Sequence, residues 1–432
     1  MNKPGEYGFE TDFESFPFGE LKEFQDRNKF IWEAVQLRKP SLKDLNAAQY
    51  LSSVESYISE ELVSPQNYTE IKKLASYFNE RITSFFGFET RLNNCDGQSD
   101  YLFAVSSLRE EREKLAGLFT HGKLPQSFRS KKEWQNIEKF VTTWTDPHSI
   151  LYNNIRGLWF EFDIVGDRSQ VPIPCVFLHT VPLSINNSES TQECTWLTHF
   201  ALPLLIGQPL SQNVERNTME AIQRLPEAVT VFQVGVMLSR ATAGVRLVLN
   251  KIKPAQIIPY LKTLGWSEND DRLSSLIKEL EHYVTSIVLH INIGEKGVDP
   301  KIGLECSFYP HLYNFETKWS VFLNYLVKNG LCRPEKKNAL LHLPGAERED
   351  MTDDFNLKSY VTNTRLLDND FSSALVRYIS HIKLVYMPDH PIEAKVYSGV
   401  RLFRSPAGQQ RNHHKELIEY NKELVTHGKN IV

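Results

Sequence analysis

The feature that most restricts what this chain can fold into is a recurring pair of strand-like runs. Each run is apolar on alternate residues, and helical segments separate the pairs. Successive side chains of a strand point to opposite faces, so each run offers one face to a core and keeps a polar face elsewhere. The clearest pair is HIKLVY at 381–386 with EAKVYSGVR at 393–401, joined through MPDHP at 387–391. Ile382, Leu384 and Tyr386 share one face, as do Ala394, Val396 and Val400. The opposite faces carry His381 and Lys383, then Glu393, Lys395, Tyr397 and Arg401.

Four further pairs are predicted, at 83–90 with 101–105, 157–164 with 174–178, 231–238 with 245–249, and 287–293 with 302–308. Helical spacing of apolar residues places helices at 41–61, 65–82, 108–119, 131–144, 254–264, 272–284, 316–329 and 412–426. The implied unit is helix, strand, strand, helix, repeated five times, which makes the chain α+β. Residues 1–82 read as an N-terminal helical segment, 83–405 as the repeated barrel or sheet domain, and 406–432 as a C-terminal helix. Ten antiparallel strands admit two architectures. One is an open sheet with helices on one face and water on the other. The other is a closed barrel ringed by helices, in which closure removes both exposed edges.

In the closed form the polar faces meet inside. They bring Glu161 and Asp163, Gln233, Arg246, His290, Glu305 and Tyr309 to the same interior as Lys383, Lys395 and Tyr397. The apolar ladders Leu158-Phe160-Phe162, Phe232-Val234-Val236, Ile287-Leu289-Ile291 and Ile302-Leu304-Phe308 are then buried under helices. Trp159, His290 and Tyr309 beside charges suit an organic ligand. Arg246, Lys383, Lys395 and Arg401 together suit a diphosphate, whose oxygens several cations stabilise. Taken singly, each of these cations reads more readily as half of a cross-strand ion pair. Glu161 and Glu305 are candidates for a general base or for stabilising a carbocation, or are themselves ion-pair partners.

Composition narrows the function classes. The net charge is −4, with acids and bases interleaved, so the basic stripe of a nucleic-acid binder is absent. The five cysteines are scattered with no CxxC, and neither a disulfide framework nor a metal site is predicted. No apolar run approaches the roughly 20 residues that span a bilayer, and no signal-peptide core opens the chain. A reducing cytoplasm is the expected location. The phosphate-loop, dinucleotide, nucleophile-elbow and HExxH motifs do not occur.

The repeated units, the polar interior and Lys395-Val-Tyr397 on an inner strand resemble the ABBA, or PT-barrel, prenyltransferases. The resemblance covers residues 80–405 and implies ten antiparallel strands closed into a barrel. It implies that Lys, Arg and Tyr of the inner strands hold an allylic diphosphate while a carboxylate assists an aromatic or peptide acceptor. Lys395 and Tyr397 match the family's Lys-x-Tyr pattern, and Arg246 and Glu161 agree in type and face. Lys383 and Tyr386, three apart, depart from it and face opposite sides. No cofactor is firmly implied, and Mg²⁺ is the one ion the resemblance leaves room for. The strings SHIKLVY and EAKVY also look like segments of large bacterial proteins of unassigned function. The competing reading is a non-catalytic scaffold that holds a ligand or peptide on a polar sheet face.

Overall fold

The computed structural model describes residues 47–78, 82–83, 85–107, 110–164, 171–183, 194–240, 244–267, 271–308, 318–348 and 373–404. The expectations for 412–426, for the 406–432 helix, for Tyr309 and for the start of the N-terminal segment lie outside these residues.

The strands are β1 (Phe85–Arg91), β2 (Ser99–Ser106), β3 (Ile155–Phe162), β4 (Cys175–Leu183), β5 (Thr230–Val236) and β6 (Val245–Asn250). They continue as β7 (Ser286–Gly294), β8 (Gly297–Ser307), β9 (Gly345–Arg348), β10 (Ser373–Tyr386) and β11 (Glu393–Arg404). Neighbours in sequence pair antiparallel from β1 through β8; β8 then pairs with β10, β10 with β11, and β11 returns to β1. This ring of ten strands is the closed form of the two expected architectures. Every long edge of the ring finds a partner, which removes the template for edge-to-edge association. The short strand β9 was not expected. It pairs with Ala374–Arg377 of β10, beyond the stretch Ile382–Tyr386 that β8 occupies.

Helices fill the intervals between hairpins and cover the outer face. Before β1 lie Ala47–Val54 and Pro65–Ser76; between β2 and β3, Glu111–Thr120 and Lys132–Thr145; between β4 and β5, Gln212–Gln223. Pro254–Thr263 and Asp271–Leu280 precede β7, and Lys318–Lys328 and Pro334–His342 follow β8. The outer ladders and the helix stripes form one core. Phe103 stacks on Phe160 at 5.1 Å and meets Phe78 edge-on at 5.0 Å, and Trp134 stacks on Phe162 at 6.3 Å. Truncating one such ring costs about 3–5 kcal/mol, because the surroundings relax only partly into the void.

Several local features differ from the periodicity. The helix expected over 41–61 ends at Val54 and tightens into a 3₁₀ turn at Glu55–Tyr57. Gln212–Gln223 escaped detection because its buried face mixes Val214, Ala221 and Ile222 with Thr218. Its start is set by Ser211, whose side chain accepts from the Val214 amide. Two β-bulges matter for the interior. One interrupts β10 between Ile379 and His381, and one interrupts β5 between Val231 and Gln233. A bulge adds one residue and reverses the alternation beyond it. Phe232, placed by alternation on the outer ladder, therefore belongs to the inner cluster.

Candidate functional site

Alternation along β1, β3, β7, β8, β10 and β11 carries Glu89, Trp159, Glu161, His290, Glu305, Lys383 and Tyr397 to the barrel interior. There all of them but Glu89 line a cavity of ≈ 890 Å³, counting its solvent-open part. Phe85, Phe177 and Phe232 complete an aromatic wall, and Ser307, Ser380 and His381 a polar one.

Two hydrogen-bonded groups occupy the charged side. In the first, Glu89 accepts from Lys395 Nζ at 2.7 Å through Oε1 and from the Tyr397 hydroxyl through Oε2. Burial pushes Glu89 upward, yet the charge of Lys395, with the hydrogen bonds from Lys395 and Tyr397, holds its carboxyl well below the usual range. Burial, and next the Glu89 charge, push the Tyr397 hydroxyl well up, so it stays a donor. In the second group, Lys383 Nζ lies 3.0 Å from His290 Nδ1, and His290 Nε2 lies 2.7 Å from Glu305 Oε2. The other Glu305 oxygen is 3.3 Å from His381 Nδ1, and the His381 ring stacks on Tyr397 at 4.3 Å, which joins the two groups.

Burial lowers the Lys383 ammonium below the ordinary lysine range, and nearby Arg246 adds to the effect against the pull of Glu161, Glu89 and Glu305. Burial, then Lys383 and Arg246, press His290 well below the usual imidazole value, so its ring is neutral. Glu161 moves the opposite way from Glu89. Burial and then the Glu89 charge raise it, with Lys383 and Arg246 opposing. One interior thus holds a carboxylate that stays ionised and a carboxyl that readily keeps or takes a proton.

The sequence-predicted residues separate by placement. Glu161, Glu305, Trp159, His290, Lys383 and Tyr397 come together around the cavity. Lys395 stands behind Glu89, and Arg246 donates from Nε to Asn292 Oδ1 at 2.8 Å with its guanidinium 6.0 Å from the Phe177 ring. Arg401 is buried over Phe85 at 5.4 Å, four residues beyond Tyr397, roughly 13 Å along the strand. Tyr309 lies outside the described residues. Asp163, read as interior, sits at the rim, where Arg240 Nη2 meets it at 2.7 Å and Ser239 donates at 3.1 Å.

Sequence reasoning missed Glu89. Phe85 and Phe86 are both aromatic, which hides the alternation of β1, although counting back from Glu89 through Gly87 to Phe85 marks one face. Among the described residues no group of three or more His, Cys, Asp or Glu side chains is arranged to hold a metal ion. No helix among them is long and apolar enough to cross a membrane.

No protein-family model and no curated protein matches the chain. Among solved structures, the crystal structure of AnaPT from Neosartorya fischeri is similar at 11% sequence identity. The likeness covers 85% of this chain and 94% of that one, with a TM-score of 0.43.

Proposed function

We propose that this barrel is a transferase that moves a prenyl group from an allylic diphosphate to an aromatic or peptide acceptor. The observation that carries the reading is the juxtaposition, around one cavity, of an aromatic wall and the Lys383 amino group, with Glu161 beside both. Phe85, Trp159, Phe177 and Phe232 supply apolar faces for a hydrocarbon chain. Lys383, backed by Arg246 and Lys395, supplies positive charge for a diphosphate.

In this reading the allylic carbon–oxygen bond breaks and its electron pair leaves with the diphosphate, where the cations stabilise the added charge. The allylic cation is held against the faces of Tyr397 and Trp159, whose ring quadrupoles attract it. The acceptor forms the new bond and releases a proton, which Glu161 takes, its affinity for a proton having been raised by burial. Glu89 and Glu305 are already engaged by Lys395, Tyr397 and the histidines, and they fix those side chains.

One observation favours the second reading, a non-catalytic ligand-binding barrel. Lys383, Lys395 and Arg246 each have a hydrogen-bond partner within the protein, and the charge of Lys395 is already met by the Glu89 carboxylate. Calorimetry with dimethylallyl, geranyl and farnesyl diphosphate, with and without Mg²⁺ and with inorganic pyrophosphate as control, separates the two. The transferase reading expects affinity that rises with chain length and falls at least about tenfold in Lys383→Ala. Absence of binding to all three prenyl diphosphates overturns it in favour of the binding barrel.

A further inference from the structure

On the neighbouring strand β8, Lys383 pairs with Glu305, and the position two residues before Glu305 is a glycine. A Cβ at this residue, Gly303, would come within 2.8 Å of Lys383 Cε and 3.0 Å of His290 Cβ. The side chain is thereby laid along the wall and delivered to His290 Nδ1 at 3.0 Å. As an ammonium, the form that an anionic ligand selects, Lys383 has three donors and no lone pair, so Nδ1 then accepts and the imidazole proton resides on Nε2. There it donates to Glu305 Oε2 at 2.7 Å, and a carboxylate can only accept. The donor and acceptor roles agree along the whole chain from Lys383 to Glu305.

We infer that Glu305 and His290 are positioning residues: Glu305 selects the Nε2-protonated tautomer of His290, and the bare Nδ1 then aims the Lys383 ammonium at the anionic group of the ligand. This inference rests on the transferase reading for the identity of that group, a diphosphate. It reassigns His290 from a wall of the acceptor pocket to the support of the cation, and Glu305 from acceptor base to tautomer lock. A flipped tautomer would place an N–H against the ammonium, and Lys383 would swing away. Several other charged or titratable groups face Lys383. They are Glu89 from β1, Glu161 from β3, Arg246 from β6, Glu305 from β8, and Lys395 and Tyr397 from β11. Only His290 is hydrogen-bonded to it among the described contacts.

The first test needs no variant. Long-range proton–nitrogen correlation spectra of the ¹⁵N-labelled full chain read the His290 ring at neutral pH. The expected result is a neutral ring with its proton on Nε2; a proton on Nδ1, or an imidazolium, overturns the inference. The second test uses Glu305→Gln, whose amide can present either an oxygen or an NH₂ to the ring. Mixed tautomers are expected in that variant and an unchanged one in Lys383→Met. Inorganic pyrophosphate should bind about tenfold more weakly to Glu305→Gln and to His290→Gln, with no further loss in the double variant. Wild-type affinity in a folded Glu305→Gln, with binding lost in Lys383→Met, overturns the positioning role. Absence of pyrophosphate and prenyl-diphosphate binding in the wild type removes the transferase reading, while the ring spectra still decide the tautomer lock.

Discussion

The interior wall of the barrel has two arcs built on the same pleat with opposite chemistry. From β3 through β7, Trp159, Cys175, Phe177, Phe232, Val248 and Val288 pack together as an apolar cluster. Across the cavity, β1, β8, β10 and β11, with His290 of β7, present Glu89, Glu305, Lys383, Lys395 and Tyr397 in bonded groups. The apolar arc is held by area removed from water and tolerates exchange of one hydrophobe for another. The charged arc is held by pairing, and losing one partner strands the other charge in a poorly solvated wall. A barrel of this kind can therefore vary the shape of one arc while the other stays interdependent.

That contrast sets the order of expected effects. Glu89→Ala leaves Lys395 and Tyr397 without their shared acceptor, and urea unfolding at neutral pH should lose about 3–5 kcal/mol. A loss under about 1 kcal/mol would mean that water or another carboxylate takes its place. Asp100 marks the edge of the charged arc. Burial raises its carboxyl to about 6, the Glu89 charge adds to this, and the Ile164 amide and Arg91 oppose. A folded pKa above the unfolded value means the native state binds the extra proton. Stability therefore falls as pH rises from about 4 to about 6 and stays reduced above that. Asp100→Asn keeps the acceptor for Ile164 and removes the charge, so it should add up to about 2–3 kcal/mol at pH 7 and little at pH 4. An equal effect at both values would refute the electrostatic origin. Glu89 has the opposite sign: its stabilisation is complete above the unfolded carboxylate range and is lost only in stronger acid.

On the apolar arc, Phe177 lies over Gly235, where a Cβ would come within 2.5 Å of the ring. Phe177→Leu should cost about 1–2 kcal/mol by thermal unfolding and widen the cavity on that side. It should alter affinity among prenyl diphosphates while leaving pyrophosphate affinity unchanged, which calorimetry reads directly. Loss of pyrophosphate binding in this variant would show that the two arcs are coupled.

Much of the fold was legible because alternation and helical spacing are local signals. Leu158-Phe160-Phe162 and Ile302-Leu304 sit in the outer core as expected, and Tyr386 joins them there against Trp266 at 6.4 Å. Glu161, Glu305, His290, Lys383 and Tyr397 face inward, as their positions between apolar neighbours required. The exceptions have local causes. Phe232 turned inward because β5 carries a bulge, and Glu89 was hidden by aromatic residues on both faces of β1.

Away from the bulges, the sequence by itself determined which residues share a face and how many helix-flanked hairpins there are. Both follow from the backbone's period of two in strands and 3.6 in helices, which needs no distant partner. Only the tertiary structure decided that the sheet closes, where its bulges fall, and which charges meet. Closure depends on β11 finding β1, and the Glu89–Tyr397 bond joins residues 308 apart in the chain. Such pairings depend on shear, twist and bulges accumulated over ten strands, and no local pattern encodes that sum.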